Sequence, residues 1–253
     1  VENFNWTQYL IILSGAIFGA LCIMPYTFQL NKDKLAEAPM SLPKLALISA
    51  IQGIIVFAIV TFLGLNATNA IGLSITSTSD ALVQAIILGV IATVLLISIE
   101  VFIFQPHLPE ALKDTKHTIP FWKRFLAIFY GGISEEVLTR LFLVSGLTWL
   151  LMQITQANMN EVIGFAIIIS AILFGVLHLP ATASITPITP LIIVRAIALN
   201  AIIGLLCGWL FWQYGFATAV IAHLSADVVL HLMTPPLLKQ LENRHQKASI
   251  KLV

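Results

Sequence analysis

Between Phe125 and Leu150 the chain reads FLAIFYGGISEEVLTRLFLVSGLTWL. This stretch is long and apolar enough to cross a bilayer, which takes about 20 residues of helix. Its middle nevertheless holds two adjacent carboxylates, Glu135 and Glu136, and a guanidinium, Arg140. Charges at that depth cost about 2.5–3.5 kcal/mol each on insertion scales, and they face a protein interior or a wet cavity. Two later segments carry matching chemistry: FGVLH at 174–178 ends in His178, and HLSAD at 223–227 joins His223 to Asp227. Glu136 and Arg140, Phe174 and His178, and His223 and Asp227 are each four residues apart, so each pair shares a helix face. Paired acids, two histidines and another carboxyl form an acid–base or metal-binding set.

Taken singly, each group has a plainer role. Glu136 and Arg140 would neutralise one another as a structural pair. His178 would be a core histidine bonded to a carbonyl, and His223 with Asp227 a packed, hydrogen-bonded couple. Cooperation between three helices is what favours chemistry. Glu100 can snorkel from the inner end of its span and receives no role. Asn200 reads as a bridge between helices, with a place in the cavity as second choice. Arg195 and His231 fall at span ends and are set aside.

The elements that must position these groups are transmembrane. Of 253 residues, 58% are hydrophobic and 10% charged. Soluble domains carry about 25% charged residues, so the chain reads as an all-α, polytopic membrane bundle within a single domain, 1–253. A net charge of +1 gives no bulk attraction to nucleic acid. Seven apolar spans are expected at 8–30, 45–65, 81–105, 123–151, 161–180, 190–210 and 215–234. Pro120 suits a helix start, TPITP at 186–190 a loop, and Pro235-Pro236 a helix stop. VENFNWTQ lacks a positive n-region, so no cleavable signal peptide is expected. Cys22 and Cys207 lie in separate spans without metal-type spacing and read as buried, inert thiols. Gly15/Gly19 and Gly204/Gly208 read as close helix packing inside the bundle.

Lysines and arginines collect in the first loop (Lys32, Lys34, Lys44), the third (Lys113, Lys116, Lys123, Arg124) and the tail (Lys239, Arg244, Lys247, Lys251). Positive loops stay cytoplasmic, so the N-terminus is expected outside and the C-terminus inside. Trp6, Trp149, Trp209, Trp212 and Tyr214 then mark the outer interface and Trp122 the inner one. At 1.5 Å per residue Glu135 lies roughly 15–18 Å from the inner boundary and Asp227 roughly 10 Å from it. His223 lies one turn deeper, and His178 only about 3 Å from the boundary. His178 is the outlier: either its span runs on by a turn or two, or the cavity opens inward past it.

The three motifs, Glu-Glu-x-x-x-Arg, Phe-x-x-x-His and His-x-x-x-Asn/Asp, in that order on three helices, resemble the CAAX protease and bacteriocin-processing (Abi) family of intramembrane endopeptidases. The resemblance covers a motif-bearing core of about 120–235. It implies a peptidase with a water-filled site open to the cytoplasm, whose substrate could be a lipidated C-terminus, a secreted peptide precursor or another membrane protein; the compact form of the chain suits a bacterial inner membrane. Glu135 would be the base that activates water, Glu136 and Arg140 its supporting pair, and His178 the residue that positions the water. His223 and Asp227 would stabilise the oxyanion. The family's prenyl-protein endopeptidases carry Asn where this chain has Asp227. Ionised, Asp227 would repel an oxyanion but could orient His223 or hold a metal; protonated, it could donate as Asn does.

Glu135, His178, His223 and Asp227 are also the candidate ligands if a metal takes part, since two histidines and a carboxylate are the ligand set of catalytic zinc. No His-Glu-x-x-His helix is present, and the reading leans to a glutamate mechanism without a metal. Two other function classes compete: a membrane scaffold or immunity-type protein of the same fold, and a proton-coupled transporter. A scaffold has no need of a buried Glu-Glu pair. Inverted repeats, which a transporter would favour, are missing from the sequence.

Overall fold

The computed structural model describes residues 4–109, 111–112 and 119–234. Among these it contains seven helices long and apolar enough to cross a membrane. They are α1 (Trp6–Leu30), α2 (Leu42–Ala70), α3 (Ser79–His107), α4 (Phe121–Thr155), α5 (Met159–Ala183), α6 (Pro190–Tyr214) and α7 (Phe216–Met233). Each coincides with one of the expected spans. Leu47, Ile51, Ile55 and Ile59 on α2, Ile87, Ile91 and Leu95 on α3, and Phe165, Ile168 and Ile172 on α5 all point outward. An outward apolar belt on helices of this length is the construction of an integral membrane protein.

Local sequence sets the helix ends. The Asn5 side chain accepts from Gln8 N at α1. Asn158 and Glu161 form a capping box at α5, with Asn158 N donating to Glu161 Oε2 at 3.1 Å. Pro120 is the N-cap of α4, and Thr189 caps α6 ahead of Pro190. Gly215 alone joins α6 to α7, with φ +99°, a conformation that favours glycine. Its neighbours dock on the α2–α3 loop through Phe216 N→Ser74 O at 2.9 Å and Ala217 N→Ile75 O at 3.0 Å. The proposed stop at Pro235-Pro236 and the basic residues Lys113, Lys116, Lys239, Arg244, Lys247 and Lys251 lie outside the described residues.

α4 is the central helix, packed against α1, α2, α5, α6 and α7. The glycine pairs act inside the bundle. A Cβ at Gly19 would overlap Ser134 and the Phe129 carbonyl on α4, and one at Gly204 would crowd Ala171 on α5. Both cysteines are free and buried. α5 runs on to Ala183, past the expected end at 180, with its last turn beginning after His178. His178 therefore sits about 7 Å inside that end rather than at it.

Candidate active site

The site is built on a stretch of α4 that is not α-helical. Tyr130–Glu135 and Val137–Val144 are wound as π-helix, with one more residue per hydrogen-bonded turn. Such turns recur at functional sites because they re-aim side chains. Here they accompany the closest approach of α7. A Cβ on Gly131 would overlap Asp227 Oδ2 and stand 3.3 Å from His223 Nε2, and one on Gly132 would overlap Leu224. Gly131→Ala is accordingly expected to cost about 1–3 kcal/mol by overpacking and to push Asp227 away from Glu135. A lowered Tm in detergent reads the first effect, and an unchanged Tm would show that α7 has room to spare.

Glu136 and Arg140 are completely enclosed, at 0% and 1% exposed. Arg140 Nη1 stands 2.9 Å from Glu136 Oε1. The guanidinium also donates to Thr139 Oγ1 and to the carbonyls of Gly204 (2.9 Å) and Ile203 (3.3 Å) on α6. Its Cζ lies 5.5 Å from the centre of the Phe174 ring. Glu136 Oε1 accepts a second bond, 2.7 Å, from His223 Nδ1. The pair is thus more than self-neutralising, because it ties α4 to α6 and α7 and fixes one imidazole. The sequence pairs His223 with Asp227; the direct bond of His223 is instead to Glu136, and Asp227 Oδ1 lies 3.9 Å from Nε2.

Glu135 points the other way, into a cavity of about 560 Å³ that His178, His223, Asp227 and Phe174 also line. Its two oxygens face two imidazoles, with Oε1 3.8 Å from His178 Nε2 and Oε2 3.9 Å from His223 Nε2. Both rings are held from behind. His178 Nδ1 donates to Phe174 O at 2.8 Å, and His223 Nδ1 donates to Glu136. Phe174 packs edge-on against both rings, at 4.7 Å from His178 and 5.9 Å from His223. All six residues singled out by spacing thus belong to one cluster: four line the cavity, and Glu136 and Arg140 stand behind it.

Three residues of the lining differ from their first reading in the sequence. Glu100, which was expected to snorkel, is gripped by Arg195 through Nη2–Oε1 at 2.6 Å and Nε–Oε2 at 2.8 Å, joining α3 to α6. His231, set aside as a span-end residue, lines the cavity with Nε2 3.8 Å from Asp227 Oδ1. Asn200 bonds the Ala196 carbonyl of its own helix at 2.8 Å rather than bridging helices, and it lines the cavity.

Two imidazoles and two carboxylates on one cavity are also the residue types of a zinc site. With each Nδ1 donating to an acceptor, a ring in its neutral form would present an Nε2 lone pair to the cavity, the outer-shell pattern of metal-binding histidines. Each Nε2 stands 3.8–3.9 Å from a different Glu135 oxygen. A second group, Glu136, Cys207 and His223, brings three donor atoms within 4.8 Å of one another. It is buried behind the cavity, and Glu136 Oε1 there is already bonded to Arg140 and His223.

Two acids and two histidines thus line one cavity inside a seven-helix membrane bundle, an arrangement suited to acid–base or metal chemistry. Residues 117–229 match the family model described as Type II CAAX prenyl endopeptidase Rce1-like. Over this segment, which holds all six motif residues, the chain is similar to that family. No curated protein and no solved structure gives a significant match to the chain.

Proposed function

We propose that the protein is an endopeptidase that cleaves a peptide bond of a lipidated or otherwise membrane-associated substrate by glutamate-activated water. The observation that carries this is the placement of the two Glu135 oxygens opposite the Nε2 atoms of His178 and His223 in one cavity. A water held between Glu135 and His178 loses a proton to Glu135 as its oxygen bonds to the scissile carbonyl carbon. The carbonyl oxygen becomes an oxyanion. His223, with Nδ1–H held by Glu136 and Nε2 protonated, donates to it, as preorganised donors do in acyl transfer. Collapse breaks the C–N bond, Glu135 returns its proton to the departing nitrogen, and a carboxylic acid and an amine leave.

Much of the cavity wall is apolar, including Leu96, Leu138, Leu177, Leu199 and Leu230, which suits a substrate bearing a lipid or lying in the bilayer. The name of the matched family points to a prenylated C-terminal CAAX sequence as the first substrate to try. The site lies toward the end of the bundle that carries Lys32, Lys34, Lys123 and Arg124. We read that end as cytoplasmic and the membrane as a bacterial inner membrane. The test uses purified protein in liposomes with a prenylated CAAX peptide, comparing wild type with Glu135→Ala and His178→Ala at matched membrane levels. Cleavage lost in both supports the proposal; cleavage retained in both discards it.

A second reading keeps the reaction and adds zinc. Glu135, His178, His223 and Asp227 would hold it, and the occupied Nδ1 atoms favour it. Zinc would supply Lewis-acid polarisation of the substrate carbonyl. Metal analysis of purified protein, with His223→Ala as control, is expected to return less than about 0.1 equivalent if the glutamate reading is right. A bound equivalent that disappears in His223→Ala would establish the zinc reading.

A further inference from the structure

The cavity is richer in acids than in permanent cations. Glu100, Glu135 and Asp227 all line it, and Arg195 is the single lysine or arginine among its described lining residues. Arg195 of α6 meets Glu100 of α3 side-on: Nε donates to Oε2 at 2.8 Å and Nη2 to Oε1 at 2.6 Å. The pair is only partly covered, with side chains 18% and 21% exposed. A guanidinium carries five N–H donors in a planar fork. Glu100 takes the Nε–Nη2 edge of that fork. Nη1 is bonded to none of the described residues and is not sealed from solvent, so the Nη1–Nη2 edge is open. A carboxylate fits such an edge through two parallel bonds.

Helix register places Arg195 near the reacting groups. α5 and α6 are antiparallel neighbours, and a Cβ on Gly175 would stand 2.5 Å from Ile197 Cα. Arg195 lies two residues before Ile197, and His178 lies three after Gly175. The two are therefore level to within about 2 Å along the helices. Packed helix axes are about 8–10 Å apart, so the two backbones are separated by a similar distance. An extended peptide covers about 10 Å in three residues. In a C-a-a-X end, the cysteine is three residues from the terminal carboxylate.

A peptide that brings its own ionised C-terminus into a cavity lined by three acids is repelled unless a cation receives it. We propose that Arg195 is the receptor for the substrate's C-terminal carboxylate, binding it through the Nη1–Nη2 edge while Glu100 steadies the guanidinium from the other. This deepens the endopeptidase reading above and rests on it. A chain end held at Arg195 sets the bond about three residues back opposite Glu135 and His178, so the protein trims a short peptide from a free C-terminus.

The experiment compares one prenylated C-a-a-X peptide as the free acid and as the C-terminal amide. Cleavage is measured in liposomes. Binding is measured in detergent on the Glu135→Gln protein, which keeps the shape of the site without its base. Wild type is expected to prefer the acid roughly 10–100-fold in kcat/KM, as follows from a hydrogen bond to a charged group. The Glu135→Gln protein is expected to bind the acid more tightly by a similar factor. Arg195→Gln, added to either protein, is expected to bring acid and amide within about twofold of one another. Arg195→Lys, a point charge without the fork, is expected to keep part of the preference. Loss of a purely structural tie between α3 and α6 would weaken both peptides alike and leave their ratio unchanged. Glu100→Gln breaks the same ion pair but spares the guanidinium, and it is expected to preserve or raise the preference. Equal handling of acid and amide by wild type, or a ratio that survives Arg195→Gln, would overturn the proposal. If wild type cleaves neither peptide better than Glu135→Ala does, the endopeptidase reading falls, and the binding ratio alone decides whether Arg195 receives a carboxylate.

Discussion

Glu135→Gln is expected to lower kcat about 10²–10⁴-fold, the range that a positioned general base contributes, with Tm unchanged within a few degrees. The substitution keeps the size and shape of the side chain, so neither the cavity nor the packing of α4 on α7 is disturbed. It removes only the ability to take a proton from water and return it to the leaving nitrogen. The stability half of the prediction follows from where Glu135 sits. Its carboxylate faces the cavity, and its nearest cationic groups are imidazoles at 3.8 and 3.9 Å, beyond direct hydrogen-bond range. Little native-state interaction energy is therefore lost. Cleavage of a prenylated CAAX peptide and thermal unfolding in the same detergent give the two readings. A variant within tenfold of wild type would remove Glu135 from the base role, whatever the fate of the family assignment.

That separation of roles between neighbours could be seen only in part from the sequence. Seven spans were legible because bilayer thickness imposes one length and one composition on each, and α1 to α7 follow the hydropathy closely. Part of the candidate site's clustering was legible, because i,i+4 spacing places Glu136 with Arg140 and Phe174 with His178 on one face of any helix. What escaped was tertiary. The bond from His223 to Glu136 joins residues 87 apart, and i,i+4 logic favoured Asp227 instead. The Glu100–Arg195 grip needs α3 and α6 to be neighbours, which no local pattern states. Nothing in the sequence marks Gly131 and Gly132 as the place where α7 lies against α4. The π-helical winding of α4 has no sequence period of its own, and the extra turn of α5 beyond His178 follows a proline, Pro180, that normally argues for a stop. The i,i+4 pairing with Arg140 already sets Glu136 apart from Glu135; the fold adds that Glu135 faces the cavity and Glu136 the protein interior.

Glu136 is accordingly expected to fail in the opposite way from Glu135. Arg140→Met removes the cation that stands 2.9 Å from Glu136 Oε1 and leaves a wholly buried carboxylate with His223 as its remaining polar partner. Breaking one side of a buried ion pair costs about 3–5 kcal/mol. For a domain of this size that corresponds to a Tm lower by roughly 6–20 °C. Glu136→Gln is expected to cost a similar amount, since Arg140 is then left buried beside an uncharged amide. The double substitution, Glu136→Gln with Arg140→Met, leaves neither charge stranded, so its Tm should lie above that of Arg140→Met alone. Cleavage should not return with stability. His223 would still lack the carboxylate that fixes its Nδ1–H and supports a proton on Nε2. Recovered Tm without recovered kcat would show that Glu136 serves two separable ends: neutralising Arg140 to hold α4 against α6, and arming His223 on α7. Recovery of both together would reduce Glu136 to a packing element and shift the burden of the oxyanion to Asp227.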